Sequence, residues 1–517
     1  MKKQKLSPSS NNPSASLRTK AGFWGWIDQN ILHWAFLGFI VAIAAIPKFP
    51  IQHVEYTYIK IRIDDLLPAI MVSLFTIQWL RRKIVLNRTL LIPVVLFWTA
   101  VFSSFLYAYY ASYTVPVFNI GLLHSLRRVE YMIVFFIATS LITTEKRFFQ
   151  YLKTYVATFL AVSVYGLIQK FGFLPSIQSM NPAYVDGRLL WLNPDDRINS
   201  TFGGHFDLAA YITFSIPLVL GLYYTKLKKW YLVAFFASLT ALLYTSARSS
   251  FVAYVTSLTF MLLTMRKFKF YLLAMVVTAG LMLVTGDMTK RLLQTFQVKT
   301  VYTNQLTGQQ QIGQQISVKN LPAGSYEIDL PFLKKPISKN VDEVAKRNVA
   351  RSLAYEQAKR TGKILTAAEI EDEASRTMGF IKPEQTLLCD ISCATRLQVE
   401  WPRAILAFKS NPFIGRGPSS ITEATDNDYL RWLGELGLVG TSLFIFIIFR
   451  IIFINLRFGR KSTEFKILTF GFVCGVLALL INALYVDVFE ASKMAYNFWL
   501  VSGLFVGITT LYDKNKA

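Results

Sequence analysis

Apolar residues in this chain arrive in unbroken blocks, and no other feature restricts its folding as strongly. The blocks run to about 18–22 residues, the length that carries an α-helix through the hydrocarbon of a bilayer. A soluble chain would instead spread its apolar residues over amphipathic elements. Here 53% of the 517 residues are hydrophobic and 17% are charged. The expected fold class is therefore an all-α polytopic membrane protein with about 12 transmembrane helices. The spans are expected near 31–47, 65–80, 89–107, 119–142, 151–169, 206–225, 230–246, 249–265, 271–287, 433–455, 467–485 and 494–511.

The basic residues test that reading, because Lys and Arg gather on the cytoplasmic side of membrane proteins. Lys2, Lys3 and Lys5; Arg81, Arg82 and Lys83; Lys146 and Arg147; Lys226, Lys228 and Lys229; Arg266, Lys267 and Lys269; Arg457, Arg460 and Lys461; and Lys514 and Lys516 fill every second connection. The series begins and ends with the termini, so both are expected in the cytoplasm of a multi-pass protein of the cell membrane. The net charge of +24 is thus accounted for beside the spans. No basic groove interleaved with aromatics appears, and no nucleic-acid partner is expected.

Residues 1–30 read as a disordered cytoplasmic tail and 512–517 as a second one. The first lacks the cleavage site of a signal peptide. Spans one to nine occupy 31–287, and spans ten to twelve 433–511. Between them, 288–432 is too long for a simple connection and is expected to fold outside the cell as a mixed α/β loop domain. Within it, "QQISVKNLPAGSYEIDLPF" (314–332) alternates as a hairpin does, and 341–361 and 365–378 read as helices. Thr366 and Glu369 have capping-box spacing at the second start. No internal repeat with matched broken helices appears, which argues against a secondary transporter.

Of the three cysteines, Cys474 lies in a span as a small hydrophobe. Cys389 and Cys393 form "CDISC" with no His nearby to complete a metal site, and are either a short disulfide or two free thiols. No metal site and no cofactor are expected.

Charges inside spans are costly and usually functional. In "FNIGLLHSLRRVEYMIVFFIATSLI", His124, Arg127, Arg128 and Tyr131 share one helical face, with Glu130 beside Arg127. This face is either an anion site or an Arg–Glu structural pair with headgroup snorkelling. On the same side, "RINSTFGGHFDLAAY" (197–211) carries Arg197, His205 and Asp207. "LLYTSARSSFVAY" (242–254) places Arg248 in a tight turn flanked by Ser246, Ser249 and Ser250. Arginines with hydroxyls and helix-start N–H groups suit a phosphate or diphosphate.

These two segments, followed by a long outer loop that ends "NPFIGRGPSS…DNDYLRWLGELGLVG", resemble the O-antigen ligase and O-antigen polymerase superfamily over roughly residues 190–445. The resemblance implies a metal-independent glycosyltransferase of polysaccharide biosynthesis. Such an enzyme moves a glycan from a polyprenyl-diphosphate carrier to a hydroxyl of a glycan, lipid or protein acceptor on the outer face. It implies that Arg197, Arg248 and Arg416 hold the diphosphate, joined in this reading by Arg127 and Arg128. Arg396 and Trp401 resemble the segment leading into the Gly415–Gly417 turn. Where the ligases carry a His–Asn pair, this chain has Asp426 and Asn427, and Tyr429, Leu430, Glu435 and Gly437 follow as the family pattern would have them.

The carboxylate at 426 tilts the reading from ligase toward polymerase. Asp426 would be the base toward the acceptor hydroxyl, provided burial raises its pKa. His205 is an alternative source of an imidazole, and a plain helix cap is the alternative role for Asp426. A ligase attaching finished glycan to lipid or protein is the second reading, and a flippase of lipid-linked glycans is a reading of a different class.

Overall fold

The computed structural model describes residues 23–54, 60–179, 189–193, 195–306, 310–312, 326–328, 335–336, 343–362, 365–421 and 425–514. The first part holds α1 (Phe23–Ala45), α2 (Ile63–Leu80), α3 (Leu91–Tyr110), α4 (Phe118–Leu141), α5 (Glu145–Lys170), α6 (His205–Lys226), α7 (Trp230–Thr245), α8 (Arg248–Thr264) and α9 (Phe268–Thr285). Two short antiparallel pairs lie between these helices: β1 (Pro50–His53) with β2 (Lys60–Arg62), and β3 (Ser176–Ile177) with β4 (Leu189–Leu190).

An inserted unit follows, made of α10 (Asp287–Thr295), β5 (Phe296–Asn304), β6 (Gln310–Ile312), β7 (Tyr326–Ile328), β8 (Lys335–Pro336), α11 (Glu343–Arg360), α12 (Ala367–Thr377) and β9 (Ile381–Cys389). The chain then forms α13 (Ile391–Thr395), a π-helical turn (Arg396–Glu400) and α14 (Trp401–Ser410). It closes with α15 (Asp428–Lys461), α16 (Lys466–Asn482) and α17 (Ser492–Lys514).

A helix stands at each of the twelve expected apolar segments. Seven of them (α2, α3, α5, α6, α9, α15 and α17) are long and apolar enough to cross a membrane, and α1, α7 and α16 hold shorter apolar stretches. The protein is a polytopic membrane protein. Helices are what such sequences must form, because hydrocarbon offers no partner to a backbone N–H or C=O. α6 and α17 are the central ones, with 83% and 89% of their apolar windows covered by protein, against 11% for peripheral α9.

Two glycine pairs at four-residue spacing set the closest approaches. Gly471 and Gly475 of α16 lie against the carbonyls of Pro217 and Phe214 on α6. Gly503 and Gly507 of α17 lie against Phe135, Ala138 and Ile142 of α4 and its end. A side chain at any of these four positions would collide with a neighbouring helix, which is how small residues bring membrane helices together where no hydrophobic effect does so.

The inserted unit is organised by one long pairing. β5 and β9 run antiparallel from Phe296 opposite Cys389 to Asn304 opposite Ile381. The five-stranded sheet has the order β6-β5-β9-β7, with β8 also on β9. α11 and α12 cover it through a small core of Tyr302, Val349, Ala350, Leu353, Ala374 and Ile381. The Thr366–Glu369 capping box opens α12.

Most of the hairpin expected at 314–332 lies outside the described residues. Its described part, β7, pairs with β9. At the base of the sheet, Asp390 N–H donates to Thr295 O at 3.1 Å. The Cys389–Cys393 disulfide sits beside it, so of the two alternatives left by the sequence the structure has the bridge. The unit therefore enters and leaves through a single two-stranded stem.

Candidate active site

The segment expected as the tenth span begins earlier than its apolar run and is two helices end to end. Gly437 adopts φ 64° and ψ −166° inside α15, a conformation open to glycine and costly for other residues. Such a break strands backbone groups that lipid cannot satisfy. The preceding loop, "NPFIGRG" (411–417), supplies the partners. Arg416 N–H donates to Gly434 O and Gly417 N–H to Glu435 O, both at 2.9 Å, while Leu438 N–H donates to Pro412 O at 2.7 Å. Ser104 Oγ on α3 also donates to Glu435 O, at 2.8 Å. Gly415, at φ 75°, has Glu435 backbone where a Cβ would stand.

The short half-helix before the break presents Asp428, Arg431 and Glu435 at i, i+3 and i+7, one face, and all three are buried. Glu435 Oε2 accepts from Arg128 Nη2 at 2.5 Å, and its Oε1 accepts from Ser419 N–H at 3.1 Å. Arg128 also donates to Glu490 Oε1, from Nε at 2.9 Å and from Nη2 at 2.8 Å. Arg431 Nη1 donates to Asp487 Oδ2 at 2.8 Å. Asp428 Oδ2 accepts from the N–H groups of Val488 and Phe489 at 2.8 and 3.0 Å. Asp487 accepts from the N–H groups of Thr425 and Asn427 at 2.9 and 3.0 Å. Burial pushes the Glu490 carboxyl up, but Arg128 and then Arg431 outweigh it and hold the group below its ordinary range. The result is an ionic lock between α4, the half-helix and the 483–491 connection.

Asn427 caps α15, its side-chain carbonyl accepting from Leu430 N–H at 3.0 Å. Its amide donates to Leu484 O, also at 3.0 Å. Asp426 is therefore not the cap, and that alternative is set aside. It sits one residue earlier at φ 50°, a left-handed turn that Asp tolerates, with Oδ2 2.5 Å from Arg396 Nη2. Arg396 is itself fixed: Nη1 donates to Ser392 O at 2.7 Å and Nε to Tyr485 O at 3.2 Å. Its guanidinium also lies 4.0 Å from the centre of the Tyr485 ring.

Burial pushes the Asp426 carboxyl up to about 6, with Arg396 opposing and Asp487 adding to the rise. Glu400, on the same π-helical turn as Arg396, is pushed up to about 7 by burial and by the charge of Asp426. Its Oε2 is enclosed with no hydrogen-bond partner among the described residues. Such turns recur at functional sites.

Residues 233–445, which include the turn, the break in α15 and Asp426, match the family model described as O-antigen ligase. This segment belongs to the O-antigen ligase family. No curated protein matches the chain. The family match ends eight residues beyond Gly437, so it takes in the break in α15.

Against this ligase-family frame, the predicted residues fall into distinct places. The arginines do not share one cluster. Arg128 is held by Glu435 and Glu490, so the structural-pair reading of its face holds for it, with partners other than Glu130. Arg127 lies 3.9 Å from Asp65 on α2. Arg248 pairs with Asp390 at 2.6 Å and donates to Thr295 Oγ1 at 2.6 Å, fastening α8 to the stem of the inserted unit. Arg197 Nη1 is 2.5 Å from His205 Nε2. A guanidinium only donates, so Nε2 accepts, and the lone pair that a basic His205 would use is taken. Arg416 contributes backbone to the loop at the helix break, its carbonyl accepting from Thr114 Oγ1 at 2.6 Å.

The remaining sequence candidates are supporting parts. Ser246 ends α7 at φ 51°. Tyr429 Oη donates to Leu480 O at 2.9 Å. Tyr131 packs edge-on to Tyr496 with ring centres 4.8 Å apart. His124 lies within electrostatic reach of Arg431, Arg127 and Glu490.

A band of charge joins these positions at one end of the bundle. Asp426 feels Asp207 at the start of α6, and Asp207 pairs with buried Lys48 at 3.7 Å. Lys48 in turn feels Arg62, Asp64 and Arg127. Beside it, Lys493 donates to Ala44 O at 3.2 Å, Ile46 O at 2.5 Å and Thr201 O at 2.8 Å, closing the end of α1.

Sequence reading missed Glu400, Asp487, Glu490, Arg431 and Lys493 as members of this end. "YVDVFE" (485–490) carried the clearest signal, two carboxylates in a short connection between apolar blocks. Arg431 and Glu435, four apart ahead of a glycine, carried a second.

Proposed function

We propose that the protein transfers an oligosaccharide from a polyprenyl-diphosphate carrier to an acceptor hydroxyl at the outer face of the cell membrane, lengthening a polysaccharide. The observation that carries the reading is the Arg396–Asp426 pair at 2.5 Å, with the Asp426 carboxyl raised to about 6. A carboxylate of that basicity is largely ionised at neutral pH yet takes a proton more readily than an ordinary aspartate. Arg396 sets the direction in which it presents its free oxygen.

In the step, an acceptor O–H attacks the anomeric carbon of the donor sugar while Asp426 takes the hydroxyl proton. The bond from that carbon to the diphosphate oxygen breaks, and polyprenyl diphosphate leaves with its electron pair. Displacement in one step inverts the anomeric configuration. Arg197, Arg127 and Arg416 are the arginines assigned to the leaving diphosphate. Arg248 and Arg128 are assigned to holding the site's walls, since carboxylates hold them at 2.5–2.8 Å, whereas Asp65 stands 3.9 Å from Arg127. The clustering of charged side chains at one end of the bundle supports an enzyme over a carrier, which needs polar groups through the full depth. The charge alternation along the sequence supports twelve crossings with both termini in the cytoplasm.

Purified protein in liposomes with a polyprenyl-diphosphate oligosaccharide tests this. Release of polyprenyl diphosphate with a lengthening glycan ladder, lost in Asp426→Ala, is the expected result. Release that depends on an added foreign acceptor would make the protein a ligase. Lipid movement across the bilayer without release would overturn the transferase reading.

A further inference from the structure

At the opposite end of the bundle from the charged band lies a cavity of about 750 Å³ that the transfer reaction does not use. The ends of five helices build it: the start of α1, the end of α2, the end of α4, the start of α5 and the end of α17. Its walls combine aliphatic side chains such as Leu32, Ile84 and Leu511 with the hydroxyls of Ser140, Thr143 and Thr510. Among the described residues three cations line it, Lys83, Arg147 and Lys514, against one carboxylate, Asp28.

That carboxylate is spent locally. Asp28 accepts from Arg81 at 2.5 and 2.9 Å and pairs with Lys83. Glu145, the nearest acidic residue of α5, is held outside the lining by Tyr512 Oη at 2.9 Å. Arg147 donates to Thr143 Oγ1 at 3.1 Å, and its charge reaches His33 and Tyr151 on the inner wall. The cavity is therefore positive, and its hydroxyls face the same space.

Beside the mouth, apolar side chains point outward in a strip that protein leaves uncovered. Ile77 is 50% exposed and Leu80 69%, beside the lining residues Gln78 and Lys83 in sequence, and the lining residue Val85 is itself 80% exposed. A site that is cationic and hydroxyl-rich inside and apolar along its rim matches an amphiphile with an anionic head. Its volume falls within the range of about 300–1,000 Å³ typical of small-molecule pockets.

We propose that this cavity binds the headgroup of an anionic phospholipid, with the acyl chains running along the exposed faces of α2 and the 81–87 connection. Arg147 and Lys514 hold the phosphate while Lys83 stays with Asp28, and Ser140, Thr143 and Thr510 complete its hydrogen bonds. The bound lipid ties the ends of α1, α2, α4, α5 and α17 together. The inference depends on the membrane assignment and is independent of the transfer chemistry.

The test is native mass spectrometry and thermal unfolding of the full-length protein in detergent, with phosphatidylglycerol, phosphatidylcholine or glycerol 3-phosphate added. Phosphatidylglycerol is expected to remain bound and to raise the midpoint, while phosphatidylcholine and glycerol 3-phosphate do neither. The paired substitution Arg147→Ala with Lys514→Ala is expected to weaken retention on the order of tenfold or more, since each surface cation contributes about 1 kcal/mol to an anionic lipid contact. Thr510→Trp, which narrows the cavity and keeps the charges, is expected to do the same and serves if the pair misfolds. Equal retention of both phospholipids overturns the proposal, as does retention unchanged in both variants. An equal effect from glycerol 3-phosphate would make the cavity a phosphate site with no lipid specificity and would likewise overturn it.

Discussion

Arg396 holds Asp426 at 2.5 Å, and Arg396 is in turn locked by two carbonyls and the face of Tyr485. The guanidinium orients the carboxylate and keeps its pKa from rising as far as burial alone would take it. Asp426→Asn keeps the shape and removes the base. Transfer is expected to fall by about 10²–10⁴-fold, the span that general-base removal produces, with the unfolding midpoint little changed. A variant that retains most of its polyprenyl-diphosphate release would take Asp426 out of the chemistry.

The raised carboxyl also fixes a pH dependence. Transfer should climb about tenfold per pH unit below about 6 and level off above it, as Asp426 loses its proton. Arg396→Gln removes the opposing positive charge and should move that inflection upward. Stability runs the other way. A carboxyl whose folded pKa is raised favours the fold below its unfolded value, near 4, and that contribution is lost as pH rises through about 6 for Asp426 and about 7 for Glu400. Rate profiles and unfolding midpoints between pH 5 and 8 check both signs.

The ionic lock gives a different signature. Arg128→Ala leaves Glu435 and Glu490 buried without the guanidinium they share, and Glu435→Ala leaves Arg128 held by Glu490 alone. Each is expected to destabilise by about 3–5 kcal/mol. The double substitution should cost clearly less than the sum of the two. A thermal-shift double-mutant cycle reads this directly, and additive losses would refute the coupling.

How much of this was legible depends on the range of each interaction. The apolar blocks and the Thr366–Glu369 box are local, so the apolar helices and the second helix of the inserted unit could be read straight from the chain. The Arg128–Glu435 pair joins residues 307 positions apart, and no local pattern distinguishes such a guanidinium from one awaiting a diphosphate. Arg248 misled for the same reason, because its partners Thr295 and Asp390 reach it only after the chain has returned from the inserted unit. Asp426 was the cap that spacing suggested, but the cap fell to Asn427, since one residue of left-handed turn sets Asp426 back from the helix start. The break in α15 was written in Gly437, yet a glycine inside an apolar run also reads as ordinary close packing.

The break has its own test. Gly437→Ala forces a side chain into the left-handed region against Phe413 backbone. It should cost about 1–3 kcal/mol and, by shifting the half-helix, reduce transfer as well. Gly434→Ala, which keeps ordinary helical geometry but meets Ile421 and Ala404, separates crowding from backbone strain. A Gly437→Ala protein with native midpoint and rate would show that the break is incidental.

The stem of the inserted unit has a consequence for how such proteins diversify. Phe296 faces Cys389, and the backbone of Thr295 touches that of Asp390, so the two ends of a long excursion meet at a single point on the membrane bundle. Length or sequence exchanged beyond that point leaves the spacing between α10 and α13 unchanged, and with it the position of Arg396 over Asp426. The excursion thus hangs from one stem, and a change in its length leaves the bundle beneath it in register.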